Sequence, residues 1–254
     1  MGPLAVSLVV FGCVFGGMLL GMALRKWLPE HHLSEDSRDV VKMGTGVVAT
    51  LAALVLGLLI ASAKGNFDTM NKGLVEASSK VILLDRIMAQ YGPETQEIRG
   101  QLRSNLAAAI DQMWAEDGTS QSEKRVLDSK AGLETVQDKL RLLSPKNETQ
   151  RWHQSRALQV SAEIIESRWL LIEQHAQSSL PVPFFVMLVS WLVIIFFCFS
   201  LLAPRNATVI VVLLICALSA SGALYLILEL DRPYGGLITI SDAPLREALS
   251  YLGR

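Results

Sequence analysis

Four long stretches of the chain hold no Asp, Glu, Lys, Arg or His: Pro3–Leu24, Met43–Ala63, Val182–Ala203 and Asn206–Leu228. Each is about 20 residues long, and at ~1.5 Å per residue a helix of that length crosses a hydrocarbon core of ~30 Å. The pattern predicts four membrane-spanning helices. Between the second and third, over Lys64–Leu180, the apolar residues instead recur three and four apart. Phe67, Met70, Leu74, Ala77, Val81, Leu84, Met88 and Tyr91 form a heptad seam, which predicts a helix that Gly92-Pro93 ends. Ile98, Leu102, Leu106, Ala109 and Met113 form a second stripe, stopping at Asp117-Gly118. The polar segment Thr119–Lys130 reads as a loop. A shorter helix carries Leu133, Val136, Leu140 and Leu143 up to Ser144-Pro145. A last helix carries Leu158, Ala162, Ile165, Trp169, Ile172 and Ala176, with Pro181 and Pro183 breaking it before the third span.

The expected fold is therefore all-α: four transmembrane helices, with a helical-bundle extramembrane domain inserted between the second and third. The divisions fall at 1–63 (first helix pair), 64–180 (bundle), 181–230 (second helix pair) and 231–254 (C-terminal turn and amphipathic helix). Composition agrees. The 254 residues are 51% hydrophobic and only 19% charged, against about a quarter charged in soluble domains. The first span does not read as a signal peptide, because Arg25 and Lys26 follow the apolar run instead of preceding it.

Charge placement predicts orientation. The loop Arg25–Lys42 and the turn Pro204-Arg205-Asn206 carry the Lys and Arg, and such short positive loops stay in the cytoplasm. This places both termini and the bundle on the outer face of a bacterial inner membrane. Acids and bases nearly balance in the bundle, so no basic face is expected for nucleic acid or anionic lipid.

Candidate chemistry is sparse. No paired nucleophile and base, no HExxH and no phosphate-cradling glycine loop occurs, so an enzyme is not expected and no cofactor is implied. Cys13, Cys198 and Cys216 all lie in spans and read as packing residues. His31, His32, Glu35, Asp36 and Asp39 cluster in sequence but match no strong zinc spacing; Ser34 as a helix N-cap, with acids in the first turn, explains them more simply. No metal is expected.

Small residues supply the candidate sites. Gly12/Gly16 and Gly17/Gly21 satisfy the GxxxG spacing that lets helices approach closely, which points to a homo-oligomer. In the second span Gly46, Thr50, Ala53, Gly57 and Ala61 fall nearly on one face, either for packing or as a weakly polar pore lining for inorganic ions. The fourth span ends in ELDRPYGG. Acids are disfavoured at helix C-termini, so Glu229 and Asp231 are expected to find partners in Arg232, Lys64 or turn amides, as a clasp or as charges at a pore mouth. Pro233 should end the helix near Asp231, and Gly235-Gly236 should turn the chain. Leu237–Ile240 would then be strand-like, and Ser241 would N-cap a helix whose Leu245, Ala248, Leu249 and Leu252 share a face.

Several stretches together resemble one family: PEHHLSEDSRDVVKMGTGVVATLAALVLGLLIASAK, SRWLLIEQ, LLAPRNATV and ELDRPYGGLITIS. They are similar to the bacterial membrane proteins labelled bestrophin-like, in the same order over nearly the whole chain. The resemblance implies a channel: bestrophins are pentameric anion channels with four membrane helices per subunit and a pore lined by the second. It also implies a cytosolic extramembrane domain, opposite to the charge rule. No bestrophin calcium-site pattern maps onto residues of this sequence. The two functional expectations are thus an oligomeric ion channel, and a non-conducting scaffold or envelope sensor binding a partner through the bundle.

Overall fold

The computed structural model describes residues 2–27, 35–114, 130–177, 182–204 and 206–253. Among them the secondary structure is helical, with no strand. The helices are α1 (Pro3–Leu24), α2 (Glu35–Tyr91), α3 (Gln96–Met113), α4 (Lys130–Arg141), α5 (Glu148–Gln177), α6 (Val182–Leu202), α7 (Ala207–Leu230) and α8 (Ala243–Tyr251). Four of them, α1, α2, α6 and α7, are long and apolar enough to cross a membrane.

The chain forms two compact units, Met1–Gly65 with Ser179–Asp231, and Asn66–Ser178 with Arg232–Arg254. In the membrane unit α1 packs on α6 and α7. Its core joins Val10 and Val14 of α1 with Ala52, Leu59 and Ala63 of α2, Leu188 and Ile195 of α6, and Leu224 and Ile227 of α7. Most large side chains of these helices point outward instead, as Leu4, Leu20, Leu54, Phe184 and Ile215 do. In lipid that exposure costs nothing, because acyl chains are as apolar as leucine.

The second span and the first bundle helix are one continuous helix of 57 residues, α2. Nothing at Lys64-Gly65 stops it; the apolar pattern changes there while helix formers continue. Its end is chemically marked. Gly92 takes φ 136°, which L side chains rarely adopt. Pro93–Thr95 then makes one 3₁₀ turn. Thr95 Oγ1 lies 2.5 Å from Met88 O and 2.9 Å from Gly92 O, satisfying carbonyls that the helix end leaves open.

The bundle unit has two neighbouring cores. One gathers Val81, Leu84, Met88, Ile98, Leu102, Val136, Leu140, Val160, Ile164 and Leu252. The other gathers Met70, Leu74, Ile110, Ile240 and Leu245, with Trp114 and Tyr234 against it. The C-terminal segment is thus part of the bundle: α8 packs on α3, and Trp114 Nε1 donates to Ile240 O at 2.9 Å.

Three local expectations are corrected. In α5 the buried face is His153, Ala157, Val160, Ser161 and Ile164, one position removed from the expected stripe. Ala162 and Trp169 are exposed, and Leu158 and Ile165 only partly buried, while the side chains of Ile172 and Ala176 lie outside the described residues. Both faces carry apolar residues at helical spacing, and contact with α2 and α4 selects the one with Ala157, Val160 and Ile164. Leu237–Ile240 is a bend rather than a strand: among the described residues no second strand pairs with it, and Ile240 N–H turns back to Pro233 O at 2.8 Å. Finally, Asp242 rather than Ser241 is the N-cap of α8, and Ser241 Oγ accepts the Ala243 N–H at 3.2 Å. The expected loop falls outside the described residues except Lys130, which begins α4; Pro181 also lies outside, and Pro183 sits in the first turn of α6.

Candidate functional site

Within the membrane unit α2 shows three distinct faces. Thr45, Ala52, Leu59 and Ala63 are buried against the other spans. Gly46, Thr50, Ala53, Gly57 and Ala61 are all exposed. At roughly 100° per residue their stripe is centred about 135° around the helix from the buried one. Val47, Leu51, Leu54 and Leu58, also exposed, fill the remaining sector with bulky aliphatic groups.

Among the described residues the small stripe faces away from the packed core of its own chain. A Cβ added at Gly46 or Gly57 meets no atom within 4 Å. Thr50 Oγ1 donates to Gly46 O at 2.9 Å, so its hydroxyl is satisfied inside the helix and still exposes an oxygen sideways. The arrangement offers a smooth, uncharged, weakly polar surface along a membrane helix. Such a surface admits a close neighbouring helix or a file of water and ions.

The glycines of α1 divide into two pairs. A Cβ at Gly17 would lie 2.9 Å from Val193 Cγ1 and 3.2 Å from Val193 O. One at Gly21 would collide with Ser200 Oγ and Phe197 O. Both serve the approach of α1 to α6 inside the chain. Gly12 and Gly16 have nothing within 4 Å. Spacing alone could not separate the pairs; only the position of α6 does.

The charged block of the fourth span is arranged as follows. Asp231 caps α7, its N–H reaching Ile227 O at 3.3 Å. Glu229 is buried, 5% exposed, and hydrogen-bonds Tyr225 one turn earlier. Two turns before Glu229, Ser221 Oγ is buried with no hydrogen-bond partner among the described residues. Pro233 is buried and Gly235 N–H closes the turn onto Arg232 O at 3.3 Å. Lys64, Asp231 and Arg232 each take part in polar or electrostatic interactions. Lys64, Glu229 and Asp231 belong to the membrane unit, and Arg232 and Pro233 to the bundle.

One polar cluster escaped the sequence reading. Asp85, its side chain 2% exposed, accepts two hydrogen bonds from Arg99, at 2.7 Å from Nε and 2.8 Å from Nη2. Gly253 N–H adds a third at 3.4 Å. The bond to Asp85 holds the Arg99 guanidinium above its ordinary pKa. The signal available was an acid in the middle of the apolar run VILLDRIM, Val81–Met88. Nearby, the Lys146 ammonium bonded to Glu94 at 2.8 Å holds that exposed carboxyl below its usual range.

His31, His32 and Ser34 lie outside the described residues, and among those described no group of three His, Cys, Asp or Glu could hold a metal. The three cysteines are free.

Four membrane-length apolar helices mark an integral membrane protein. The model of the Bestrophin-like domain matches residues 12–245, nearly the entire chain. The protein belongs to the Bestrophin-like family. Comparison with curated proteins gave no match. Among solved structures, the chain is similar to a bacterial bestrophin homologue from Klebsiella pneumoniae carrying a leucine-to-threonine substitution. The TM-score is 0.61 at 13% identity, covering 94% of this chain and 97% of the other. An isoleucine-to-threonine form of that homologue gives a TM-score of 0.52 at 12% identity with the same coverage. At such identities the likeness speaks for the fold.

Proposed function

We propose that this protein is a homo-oligomeric ion channel of the bacterial plasma membrane, with the small-residue face of α2 lining the pore. The observation that carries this reading is the exposure of Gly46, Thr50, Ala53, Gly57 and Ala61 on a helix whose adjacent face is packed in the core. A helix that served only its own chain would have no use for glycines on its outer side, where each costs about 1 kcal/mol relative to alanine. Family membership supports the reading, since the resemblance to bestrophins implies a pore formed by the second helix of each subunit. Glu229, Asp231, Arg232, Pro233 and Lys64 are then a charged clasp at the exit of the spans, or charges at the pore mouth that bias permeant ions.

Purified protein in liposomes should pass ions, and Ala53→Trp or Gly57→Trp should abolish the flux while the oligomer still forms. An oligomer without flux in the unmodified protein overturns the channel. The second reading, a scaffold or sensor that binds a partner, draws on the exposed apolar stripe Ala162, Trp169 and Leu170 of α5. In that case Trp169→Glu would remove partner capture and leave no conductance to lose.

A further inference from the structure

The bundle unit contains a cleft of about 460 Å³ at the N-terminal end of α3. Ala89 and Gly92-Pro93 form one wall, Gln96, Arg99, Gly100 and Arg103 the other, and Gly253 closes an edge. The four α3 residues recur at i, i+3, i+4 and i+7 and so share one helix face. We propose that this cleft binds a small aliphatic oxyanion, a compound carrying phosphate or carboxylate groups. The inference stands apart from ion conduction.

Charge points to an anion. Among the described residues two guanidinium groups line the cleft, and the carboxylate that borders it, Glu94 beside Gly92, is already paired with Lys146 at 2.8 Å. Arg99 is committed to the buried Asp85, which fixes its plane and neutralises its charge. Arg103 is exposed and makes no hydrogen bond or ion pair with any described residue. Its five donors, in a planar fork matched to carboxylate and phosphate, remain for a ligand.

Space points to a ligand of metabolite size. Gly100 sits inside α3, where glycine is among the poorest helix formers. An added Cβ there meets nothing within 4 Å, so close packing does not require a glycine. What its absent side chain preserves is the cleft. The volume lies within the range of roughly 300–1,000 Å³ typical of small-molecule sites, larger than inorganic phosphate would need. No aromatic ring among the described residues lines it, so these walls offer a nucleobase nothing to stack on. An aliphatic body with acidic groups, facing Arg103 and the Gln96 amide, fits these walls.

The test titrates citrate and glycerol 3-phosphate into the full-length protein in mild detergent at moderate salt, read by calorimetry. Dihexanoyl phosphatidylglycerol serves as the lipid-headgroup arm. Saturable binding is expected for at least one probe, weakened about tenfold or more by Arg103→Gln, since a charge-assisted contact is lost. Gly100→Leu should abolish binding without lowering the unfolding temperature, because the added side chain enters open space. Arg103-dependent binding of a water-soluble probe identifies a free metabolite; the same dependence for the phosphatidylglycerol alone identifies a lipid headgroup. No saturable binding at millimolar concentration, or equal binding by Arg103→Gln, overturns the site.

Discussion

Asp85 and Arg99, fourteen residues apart on α2 and α3, meet in a two-pronged ion pair at 2.7 and 2.8 Å, with the carboxylate almost wholly buried. It ties the end of α2 to the start of α3 across the turn at Gly92. The consequence is asymmetric. Arg99→Leu would strand a charge inside the bundle, at a cost of about 3 kcal/mol. Replacing both partners, Asp85→Leu with Arg99→Leu, would remove the stranded charge and should recover most of that loss. Denaturation of the two variants and of Asp85→Leu alone would measure the coupling; additive losses would mean that the pair contributes nothing beyond its separate residues.

The two glycine pairs of α1 should separate folding from assembly. Gly21→Leu would drive a side chain into Ser200 and the backbone of Phe197, so the isolated chain should lose thermal stability. Gly12→Leu and Gly16→Leu meet open space in the chain and should leave its unfolding temperature unchanged. Any effect of those two must come from a second copy or from lipid. Light scattering in detergent, run beside thermal unfolding, gives both readouts. Equal destabilisation by all three substitutions would contradict the packing of α1 on α6.

The spans and the apolar stripes of the bundle were legible in the sequence because each rests on a single periodic property. Charge-free length is enough for α1, α6 and α7, and Val136 and Leu140 are buried where their spacing puts them. What escaped depends on neighbours. In α5 two apolar stripes lie side by side, and α2 and α4 decide which is buried. Gly17 and Gly16 are adjacent and alike until α6 is in place. Asp85 reads as a solvated charge until Arg99 comes to it from the next helix. The small stripe of α2 was visible as a pattern, whereas its exposure required knowing where the other three spans sit.

The tail should report alkaline pH. Tyr234 packs edge-on to Trp114, centroids 5.7 Å apart, and burial pushes its hydroxyl above the ordinary value of 10.0. A folded-state pKa above the unfolded one means that its stabilising contribution is complete below pH 10. The contribution is lost as pH rises past 10 through the folded value. Tyr234→Phe keeps the ring and removes the ionisation. Its melting temperature should track that of the unmodified protein at pH 7–9 and fall less steeply above pH 10. Parallel curves through pH 11 would show that Tyr234 does not carry the alkaline loss.

Orientation is the prediction on which the partner-binding reading depends most. Lys and Arg concentrate in Arg25–Lys42 and at Arg205, whereas Met1-Gly2 has none. Retention of short basic loops in the cytoplasm would leave the termini and the bundle outside. Acids in the same loop, such as Asp36 and Asp39, count for little in that rule. Arg232 and Arg246 pull the other way, yet they follow the last span, after three earlier spans have been inserted. Alkaline phosphatase should accordingly be active when fused after Gly118 and inactive when fused after His32. A cytoplasmic reporter should give the reverse pattern at both sites. If the phosphatase is active at His32 and silent at Gly118, the bundle faces the cytoplasm, as the bestrophin resemblance implies. An envelope-sensing role would then be excluded, while the channel reading, which needs only the α2 stripe and an oligomer, would stand.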